Sequence, residues 1–151
     1  MNLARLNFPE YQFKFKYKEN KYFIFSVARK KYLQLTPEEW VRQNCVQFLL
    51  SEKNYKLSSL NEERTFKIND IKKRYDIVSY KSDGSIMLVV ECKAPHIQIQ
   101  QSTFDQIARY NLTLQADYLM LTNGISHYFC SMNYKQETYF FLRDLPKKDS
   151  K

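Results

Sequence analysis

The chain has 151 residues, enough for one domain that buries its own core without disulfides or a structural metal. Apolar residues make up 44% of it and aromatic residues 16%, with only two glycines and four prolines, which indicates an ordered globular protein and not a disordered tail. Lys and Arg number 24 against 16 Asp and Glu, and the resulting net charge of +8 suits either a polyanionic partner such as nucleic acid or simple solubility.

The cysteines and histidines exclude a disulfide framework and a zinc site. Cys45, Cys92 and Cys130 are odd in number, far apart and set among apolar neighbours, which indicates buried thiols in a reducing compartment. The two histidines are isolated from each other. Arg5 interrupts the only N-terminal stretch that could act as a signal peptide, and no segment approaches about eighteen apolar residues. We expect a soluble, cytoplasmic protein that has no membrane partner.

The first predicted element is a β-hairpin over residues 13–27. Apolar and basic residues alternate on both sides of a polar Lys-Glu-Asn turn at 18–20, as in a hairpin with one dry face. Lys14, Lys16 and Lys18 then line the wet face. These lysines either contact phosphate or keep an exposed strand from pairing with another chain.

A helix is predicted over residues 35–50. Thr36 suits the N-cap, Pro37 the first helical position, and Glu39 the third position of a capping box. The apolar stripe of this helix consists of Val41, Cys45, Phe48 and Leu49.

The rest of the chain alternates strands with one more helix. Strands are predicted at 63–68, 73–80 and 85–93, a helix with Ser102 as N-cap at 102–115, and further strands at 117–123, 126–132 and 137–142. This order predicts an α/β or α+β fold with a mixed sheet flanked by helices. We expect one domain over residues 1–145 and a flexible basic tail over 146–151.

The Asp83-Gly84 pair predicts how two strands align. A two-residue type I′ turn at these positions requires cross-strand partners whose numbers add up to 167. Asp76 then lies opposite Glu91, and the period of two adds Lys93 to the same face. Two carboxylates about 5 Å apart repel by roughly 3 kcal/mol at an effective dielectric constant near 20.

Such a pair of carboxylates needs a positive neighbour. Oxygen ligands converging from adjacent strands form the kind of site that Mg²⁺ or Mn²⁺ occupies, and such an ion activates water and neutralises charge on a phosphodiester. The alternative is a structural ion cluster in which Lys93 balances the two acids at the end of the sheet.

The residues around this cluster resemble a known family. Asp76 on one strand, Glu91-Cys92-Lys93 on the next and a helix about ten residues later resemble the PD-(D/E)XK nuclease superfamily. The stretches LTPEEWVRQ, KKRYDIVSY, LVVECKAP, FDQIARYN and YLMLTNG resemble the N-terminal nuclease domain of type I restriction enzyme R subunits, in particular a small standalone form. The resemblance spans about residues 5–145. Tyr75 stands where the name of the superfamily has proline.

The resemblance implies a restriction-endonuclease-like fold and a role for each matching residue. Asp76 and Glu91 would be metal ligands, and Lys93 the catalytic lysine. Gln106 and Tyr110 match a glutamine-xxx-tyrosine motif that helps to position the site and the DNA; otherwise they are a surface glutamine and a packed tyrosine.

A glutamate on the first helix adds a metal contact in many relatives. Glu38 is the better candidate here because Glu39 belongs to the predicted capping box, although an exposed first-turn glutamate also suits the helix dipole.

Two basic runs are candidates for contact with the DNA backbone. They comprise Lys72, Lys73 and Arg74, which lead into Asp76, and Arg29, Lys30 and Lys31. A solvated charged face explains them equally well. With two glycines in the chain no GxxxxGK[ST] loop can form, so we expect no ATP-driven motor.

The leading hypothesis is therefore a Mg²⁺-dependent endonuclease acting on DNA. The alternatives are a non-catalytic DNA-binding or assembly module that keeps the fold, and a structural scaffold. Whether the protein acts alone, as a homodimer or with a protein partner is left open.

Overall fold

The computed structural model describes residues 1–149 and contains two sheets and two helices. The strands are β1 (Phe15–Lys18), β2 (Lys21–Ser26), β3 (Lys31–Gln34), β4 (Leu60–Ile68), β5 (Ile71–Tyr80), β6 (Ile86–Cys92), β7 (Tyr118–Thr122), β8 (His127–Asn133) and β9 (Thr138–Leu142). The helices are α1 (Pro37–Glu52) and α2 (Gln101–Leu114), and a short 3-10 turn (Leu57–Ser59) precedes β4.

The larger sheet has six strands in the order β4-β5-β6-β7-β8-β9. Its neighbours are antiparallel except β6 and β7, which run parallel because α2 carries the chain back across the sheet between them. This arrangement confirms the predicted mixed sheet flanked by helices in an α+β fold.

Each face of the larger sheet carries its own hydrophobic core. Leu88 and Val90 of β6 pack with Val41 and Cys45 of α1, whereas Val89 between them belongs to the opposite core. That opposite core includes Phe104 and Ile107 of α2 and Leu119 of β7. The alternation follows from the period of two along a strand, so β6 is apolar from Ile86 to Val90 because both of its faces are covered there. The three cysteines are free and buried, as predicted.

The helix starts agree only in part with the predictions. Thr36 is the N-cap of α1, and its hydroxyl accepts a hydrogen bond from the backbone N–H of Glu39 at 3.0 Å. The Glu39 carboxylate does not complete a capping box, because it is buried and engaged by Arg42 and Gln43. For α2 the predicted N-cap Ser102 is wrong, since Gln100 is the N-cap and has no side-chain capping bond.

The turn between β5 and β6 differs from the prediction, although the alignment of the strands agrees. Of the two turn residues, Gly84 (φ +88°) has a positive φ and Asp83 does not, so the turn is not type I′. Its hydrogen bond runs from the N–H of Gly84 to the carbonyl of Lys81. A bulge between Ser79 and Tyr80 restores the predicted register, and Ile77 lies opposite Val90.

The smaller sheet, in the order β1-β2-β3, contains the predicted hairpin and one strand that was not predicted. Strand β3 follows a tight turn in which Lys30 has a φ of +56°, and its Lys-Tyr-Leu-Gln sequence is too short for a clear periodic signal. The sheet packs on α1 through Phe13 and Phe15, whose rings lie 5.1 and 6.4 Å from that of Trp40.

The C-terminal residues return to the helix layer. Leu145 is buried, and the backbone N–H of Lys148 donates to the carbonyl of Lys53 at 2.8 Å. The last two residues of the predicted tail, 150–151, lie outside the described residues. Within residues 1–149, neither helix has the length and apolar character needed to cross a membrane.

Candidate active site

The candidate site lies where strands β5 and β6 separate. Their paired register ends at Ile77 and Val90, so Asp76 and Glu91 stand just beyond it. Lys93 follows the end of β6, and its backbone N–H donates to the carbonyl of Thr122 at the end of β7 at 2.8 Å. The middle of β5 and the ends of β6 and β7 therefore fix the backbone that presents the predicted acids and lysine.

Both carboxylate oxygens of Asp76 are engaged. Oδ2 accepts the backbone N–H of Cys92 at 2.8 Å, which ties Asp76 to the neighbouring strand. Oδ1 accepts Nη2 of Arg42 at 2.8 Å and Nε at 3.1 Å. Asp76 is thus held in one orientation by β6 on one side and by α1 on the other.

Arg42 is the centre of an ion cluster that the sequence analysis missed. Besides Asp76 it contacts Glu39 at 2.6 Å, Glu38 at 3.2 Å and Glu63 at 3.3 Å, and only 6% of its side chain is exposed. Burial disfavours its charge, but the carboxylates of Asp76 and Glu39 outweigh this and raise its pKa. The spacing of Glu38, Glu39 and Arg42 on one helix face was the available signal.

Strand β4 contributes Glu63 to this cluster through an unusual backbone conformation. Glu63 has a φ of +53°, and the β4–β5 register skips it between the pairs Glu62–Ile77 and Arg64–Tyr75. A non-glycine residue in the left-handed region is strained, and such strain often occurs at functional sites. The strained residue lies across from Asp76 in this register.

Glu91 has a different environment from Asp76. Its side chain is buried, and no hydrogen bond to its carboxylate occurs among the described residues; the nearest cation, Nζ of Lys73, is 3.9 Å away. Burial, followed by the negative charge of Asp76, raises the pKa of Glu91 to about 7, while Lys73 and Lys93 oppose this shift. The two carboxylates therefore repel each other across the strand ends.

The structure adds Lys73 to the site. Its Nζ lies 5.7 Å from the ring centre of Tyr75 and 5.8 Å from that of Tyr110, in addition to its contact with Glu91. From its sequence, Lys73 is a candidate for contact with the DNA backbone; in the structure it is half-buried and lies beside Glu91. Because Lys73 lies between Glu91 and the ring of Tyr110, Tyr110 of α2 lies near the acidic centre. Gln106 lies one turn earlier on α2 and is exposed.

The donor set fits a hard divalent cation. Asp76 and Glu91 supply carboxylate oxygens, and Glu91 lacks a hydrogen-bond donor that would otherwise satisfy its charge. Residues 1–149 contain no group of three or more acidic, His or Cys side chains arranged to hold a metal by themselves. Water or phosphate oxygens would have to complete the coordination. Glu38 lies at the edge of the site, half exposed and paired with Arg42.

The predicted basic runs are only partly available to a ligand. Arg29 donates to Glu63 at 2.6 Å and so belongs to the ion cluster rather than to an open basic surface. Lys73 is half-buried beside Glu91. The other four side chains of the two runs are exposed: Lys30, Lys31, Lys72 and Arg74.

Comparison with known proteins gives a family and a fold. Residues 37–146 match the family described as the type I restriction enzyme R protein N terminus, whereas no curated protein matches the chain. A solved fragment of a protein assigned as an HsdR subunit of a type I restriction enzyme from Vibrio vulnificus YJ016 has a TM-score of 0.53 and 21% identity. The match covers 75% of this chain and 24% of that one, so this chain spans about a quarter of its length.

The family match extends over more than two thirds of the chain and includes the strands and the helix that build the candidate site. The chain belongs to the family of type I restriction enzyme R protein N-terminal regions.

Proposed function

We propose that the protein is a Mg²⁺- or Mn²⁺-dependent endonuclease that hydrolyses DNA phosphodiester bonds. The observation that carries this proposal is the state of Glu91, a buried carboxylate with no hydrogen-bond donor and a raised pKa beside the charge of Asp76. Leaving such repulsion in place costs stability, and titratable groups perturbed in this way concentrate at functional sites. Membership of the R protein family supports the same reading.

Asp76 and Glu91 are the ligands in this proposal. A divalent ion held by them would activate a water molecule and neutralise charge that develops on the phosphodiester. Lys93 supplies a fixed positive charge that stabilises the transition state. Lys73 holds Glu91 in place electrostatically, and Arg42 restrains Asp76. Glu38, at the edge of the site, would supply an additional carboxylate contact to the ion.

The DNA would be held mainly through its phosphates. Lys72 and Arg74 are exposed on β5 next to the site, Lys31 begins β3, and Lys30 lies in the turn before it. Contacts of this kind carry no sequence information, and they weaken steeply as salt is added. Gln106 and Tyr110 of α2 would orient the strand that is cut. The buried free thiols fit a reducing compartment, for which we propose the cytoplasm.

A cleavage assay tests this proposal. The purified protein is incubated with plasmid DNA and Mg²⁺ or Mn²⁺, alongside Asp76→Ala, Lys93→Ala and the surface control Lys135→Ala. We expect cleavage by the wild type and the control, and a loss of at least 100-fold in both site variants. Equal cleavage by all four proteins would assign the activity to a contaminant and contradict the proposal.

A second function is favoured by one specific observation. Arg42 already neutralises Asp76, so the acidic centre is balanced in part without a metal ion. In this alternative the protein is a DNA-binding or assembly module that has kept the fold without catalysis. Salt-sensitive binding of DNA with no cleavage in Mg²⁺, Mn²⁺ or Ca²⁺ would establish it in place of the endonuclease.

A further inference from the structure

We propose that the smaller sheet is a binding surface for single-stranded nucleic acid. The surface is the side of this sheet that faces away from α1, and we call it the lysine–aromatic face. Its members are Lys14, Lys16, Lys18, Lys21, Phe23, Phe25 and Tyr32.

The charge of the protein is concentrated in this sheet. Residues 14–31 contain seven Lys or Arg and one Glu, a net charge of +6 in a chain whose total is +8. The rest of the molecule is therefore close to neutral. A polyanion approaching the protein is attracted first to this sheet, because the field of clustered charges steers association.

The strand register explains why lysines and rings share one face. Lys16 lies opposite Phe23, and the backbone N–H of Phe25 donates to the carbonyl of Lys14. Tyr32 lies opposite Phe25 on the other side of β2. Of the residues of the other parity, Ile24 is fully buried and Phe15 lies near Trp40 of α1, whereas Tyr17 and Tyr22 near the hairpin turn are exposed. Alternation along the strands thus separates a face that packs toward α1, away from the turn, from the lysine–aromatic face.

The side chains on this face are arranged as pairs of cation and ring. Nζ of Lys16 lies 4.2 Å from the ring centre of Tyr32, and Nζ of Lys14 lies 5.8 Å from that of Phe25. The rings of Phe25 and Tyr32 are 5.2 Å apart. Among the described residues, neither hydrophobic core includes Phe23, Phe25 or Tyr32. Protection of an edge strand accounts for lysines but not for a row of half-exposed rings.

Rings flanked by lysines match the chemistry of an unpaired strand. Bases stack on aromatic side chains and the phosphates between them pair with the ammonium groups. A duplex keeps its bases stacked on one another and offers phosphates and base edges but no base faces, so the rings have no stacking partner in it. An anionic lipid surface or an acidic peptide would likewise pair with the lysines, but it would offer the rings no base to stack on.

The sheet lies outside the family match, which begins at residue 37, and it is joined directly to the candidate site. Arg29, in the turn between β2 and β3, pairs with Glu63 of the ion cluster. An open cleft of about 490 Å³ runs between β3, the start of α1 and the residues after Lys93, and its walls include Leu33, Arg42 and His96. The inference rests on the proposed function in one respect, that a strand on this face leads toward the nuclease site.

The contribution of the lysines is tested by the fluorescence anisotropy of a labelled oligonucleotide of about 20 nucleotides, measured in EDTA as protein is added. The triple variant Lys14→Gln, Lys16→Gln, Lys18→Gln is compared with Lys56→Gln, Lys135→Gln, Lys147→Gln, which removes the same charge from exposed positions elsewhere. We expect the first triple to lower the slope of log affinity against log salt by about 2, since each lost phosphate contact removes about 0.7. Equal losses in the two triples would overturn the proposal.

A second variant tests the rings. The double variant Phe23→Leu, Tyr32→Leu keeps apolar bulk but removes two aromatic rings. Circular dichroism and thermal melting check that it folds. If the double variant does not fold, the single variant Tyr32→Leu is used in its place. We expect the affinity for single-stranded DNA or RNA to fall at least tenfold and that for the matching duplex to change less than twofold. Equal loss on both substrates, or no loss on either, would overturn the assignment to unpaired strands.

Binding in EDTA and cleavage in Mg²⁺ separate the two sites. In EDTA the wild type should bind the oligonucleotide, whether or not it cuts DNA when Mg²⁺ is added. If no cleavage is found but binding depends on the lysine–aromatic face, the endonuclease proposal fails and this one stands. Wild-type protein that does not bind single strands at low salt contradicts this one alone. Comparison of DNA with RNA oligonucleotides then identifies the natural strand.

Discussion

A buried carboxylate and a buried guanidinium determine the electrostatics of the candidate site at the scale of single residues. Glu91 has no hydrogen-bond donor, whereas Arg42 has four carboxylates around it. The charge of Glu91 is therefore compensated only by lysines, the nearest of them Lys73 at 3.9 Å, whereas Arg42 is surrounded by more negative charge than it carries. This asymmetry leaves Glu91, and not Asp76, as the side chain that gains most from a cation.

The first prediction concerns the pH dependence of stability. The pKa of Glu91 is raised by burial and then by Asp76, so the folded protein holds a proton that the unfolded chain releases near pH 4.5. The stabilisation associated with this proton is complete below pH 4.5 and is lost as the pH rises through about 7. In EDTA, the difference in unfolding free energy between wild type and Glu91→Gln should fall by roughly 2 kcal/mol from about pH 5 to about pH 8.

Urea unfolding of both proteins at several pH values measures this difference. Glu39 and Glu62 also have raised pKa values, chiefly through burial. Because both proteins contain these two residues, their contributions cancel in the difference between the unfolding free energies. Parallel pH profiles for the wild type and Glu91→Gln would show that Glu91 titrates normally.

The second prediction concerns Arg42. Replacing it by alanine leaves Asp76, Glu39 and Glu63 without their shared cation, and breaking a buried ion cluster on one side costs about 3–5 kcal/mol. Arg109→Ala, at an exposed position of α2, removes the same charge and should cost less than about 0.5 kcal/mol. Chemical denaturation measures both. A cost for Arg42→Ala within about 1 kcal/mol of the control would mean that the cluster contributes little.

At the scale of elements, the site depends on how strand ends and turns are fixed. The turn between β7 and β8 lies against the N-terminal segment, where the N–H of Asn7 donates to the carbonyl of Gly124 at 2.7 Å. A Cβ at Gly124 would approach Leu6 to 2.7 Å and Val41 to 3.1 Å. This turn therefore has no room for a larger residue next to α1, the helix that carries Arg42.

The third prediction compares the two glycines. Both have a positive φ, +84° at Gly124 and +88° at Gly84, so alanine is strained at either position. Gly84 has open space around it, and Gly84→Ala should cost about 1 kcal/mol. Gly124→Ala adds steric overlap and should cost about 3 kcal/mol. Thermal unfolding measures the pair. Equal losses would show that Leu6 and Val41 move aside freely.

Sequence patterns located most elements but not the details of their ends. Hydrophobic periodicity placed both helices and the strands of the larger sheet, because these elements bury a face and carry the signal of burial. The two positive φ values expected at Asp83-Gly84 occur instead in the turn between β1 and β2, at Glu19 and Asn20, and in the turn between β4 and β5, at Asn69 and Asp70. Turn composition favours a conformation without fixing it, since cross-strand packing decides the register.

The ion cluster could not be predicted from the sequence for a related reason. Arg42 lies outside the predicted apolar stripe of α1, and one of its partners is Glu63, which lies 21 residues further along the chain and has a positive φ. Lys73 likewise belonged to an apparently exposed basic run until the structure placed it between Glu91 and Tyr110. Contacts between distant segments decided both positions, whereas Asp76, Glu91 and Lys93 were recognisable from order and spacing.

At the scale of the whole molecule, the candidate site lies between the two helices that cover opposite faces of the larger sheet. Asp76 is bound from the α1 side, and Glu91 contacts Lys73, which reaches toward α2. A cation between the two acids would therefore link both layers. The fourth prediction is that Mg²⁺ stabilises the wild type and does not stabilise Asp76→Asn.

Mass action sets the size of this effect. A ligand at about 100 times its dissociation constant adds about 2.7 kcal/mol to the unfolding free energy. Thermal melts with increasing Mg²⁺ near pH 8, where Glu91 is charged, should show a rise in Tm that is smaller near pH 6. A rise that is the same in Asp76→Asn would locate the ion elsewhere on the protein.

The most direct test of the account is anomalous diffraction from a crystal soaked in Mn²⁺. We predict one peak about 2.1 Å from a carboxylate oxygen of Asp76 and from one of Glu91, with water at the remaining positions. Arg42 would then have given up part of its contact with Oδ1 of Asp76. A crystal saturated with Mn²⁺ that shows no peak there, with Arg42 still bound to Asp76 and Glu91 still beside Lys73, would contradict the metal-dependent mechanism.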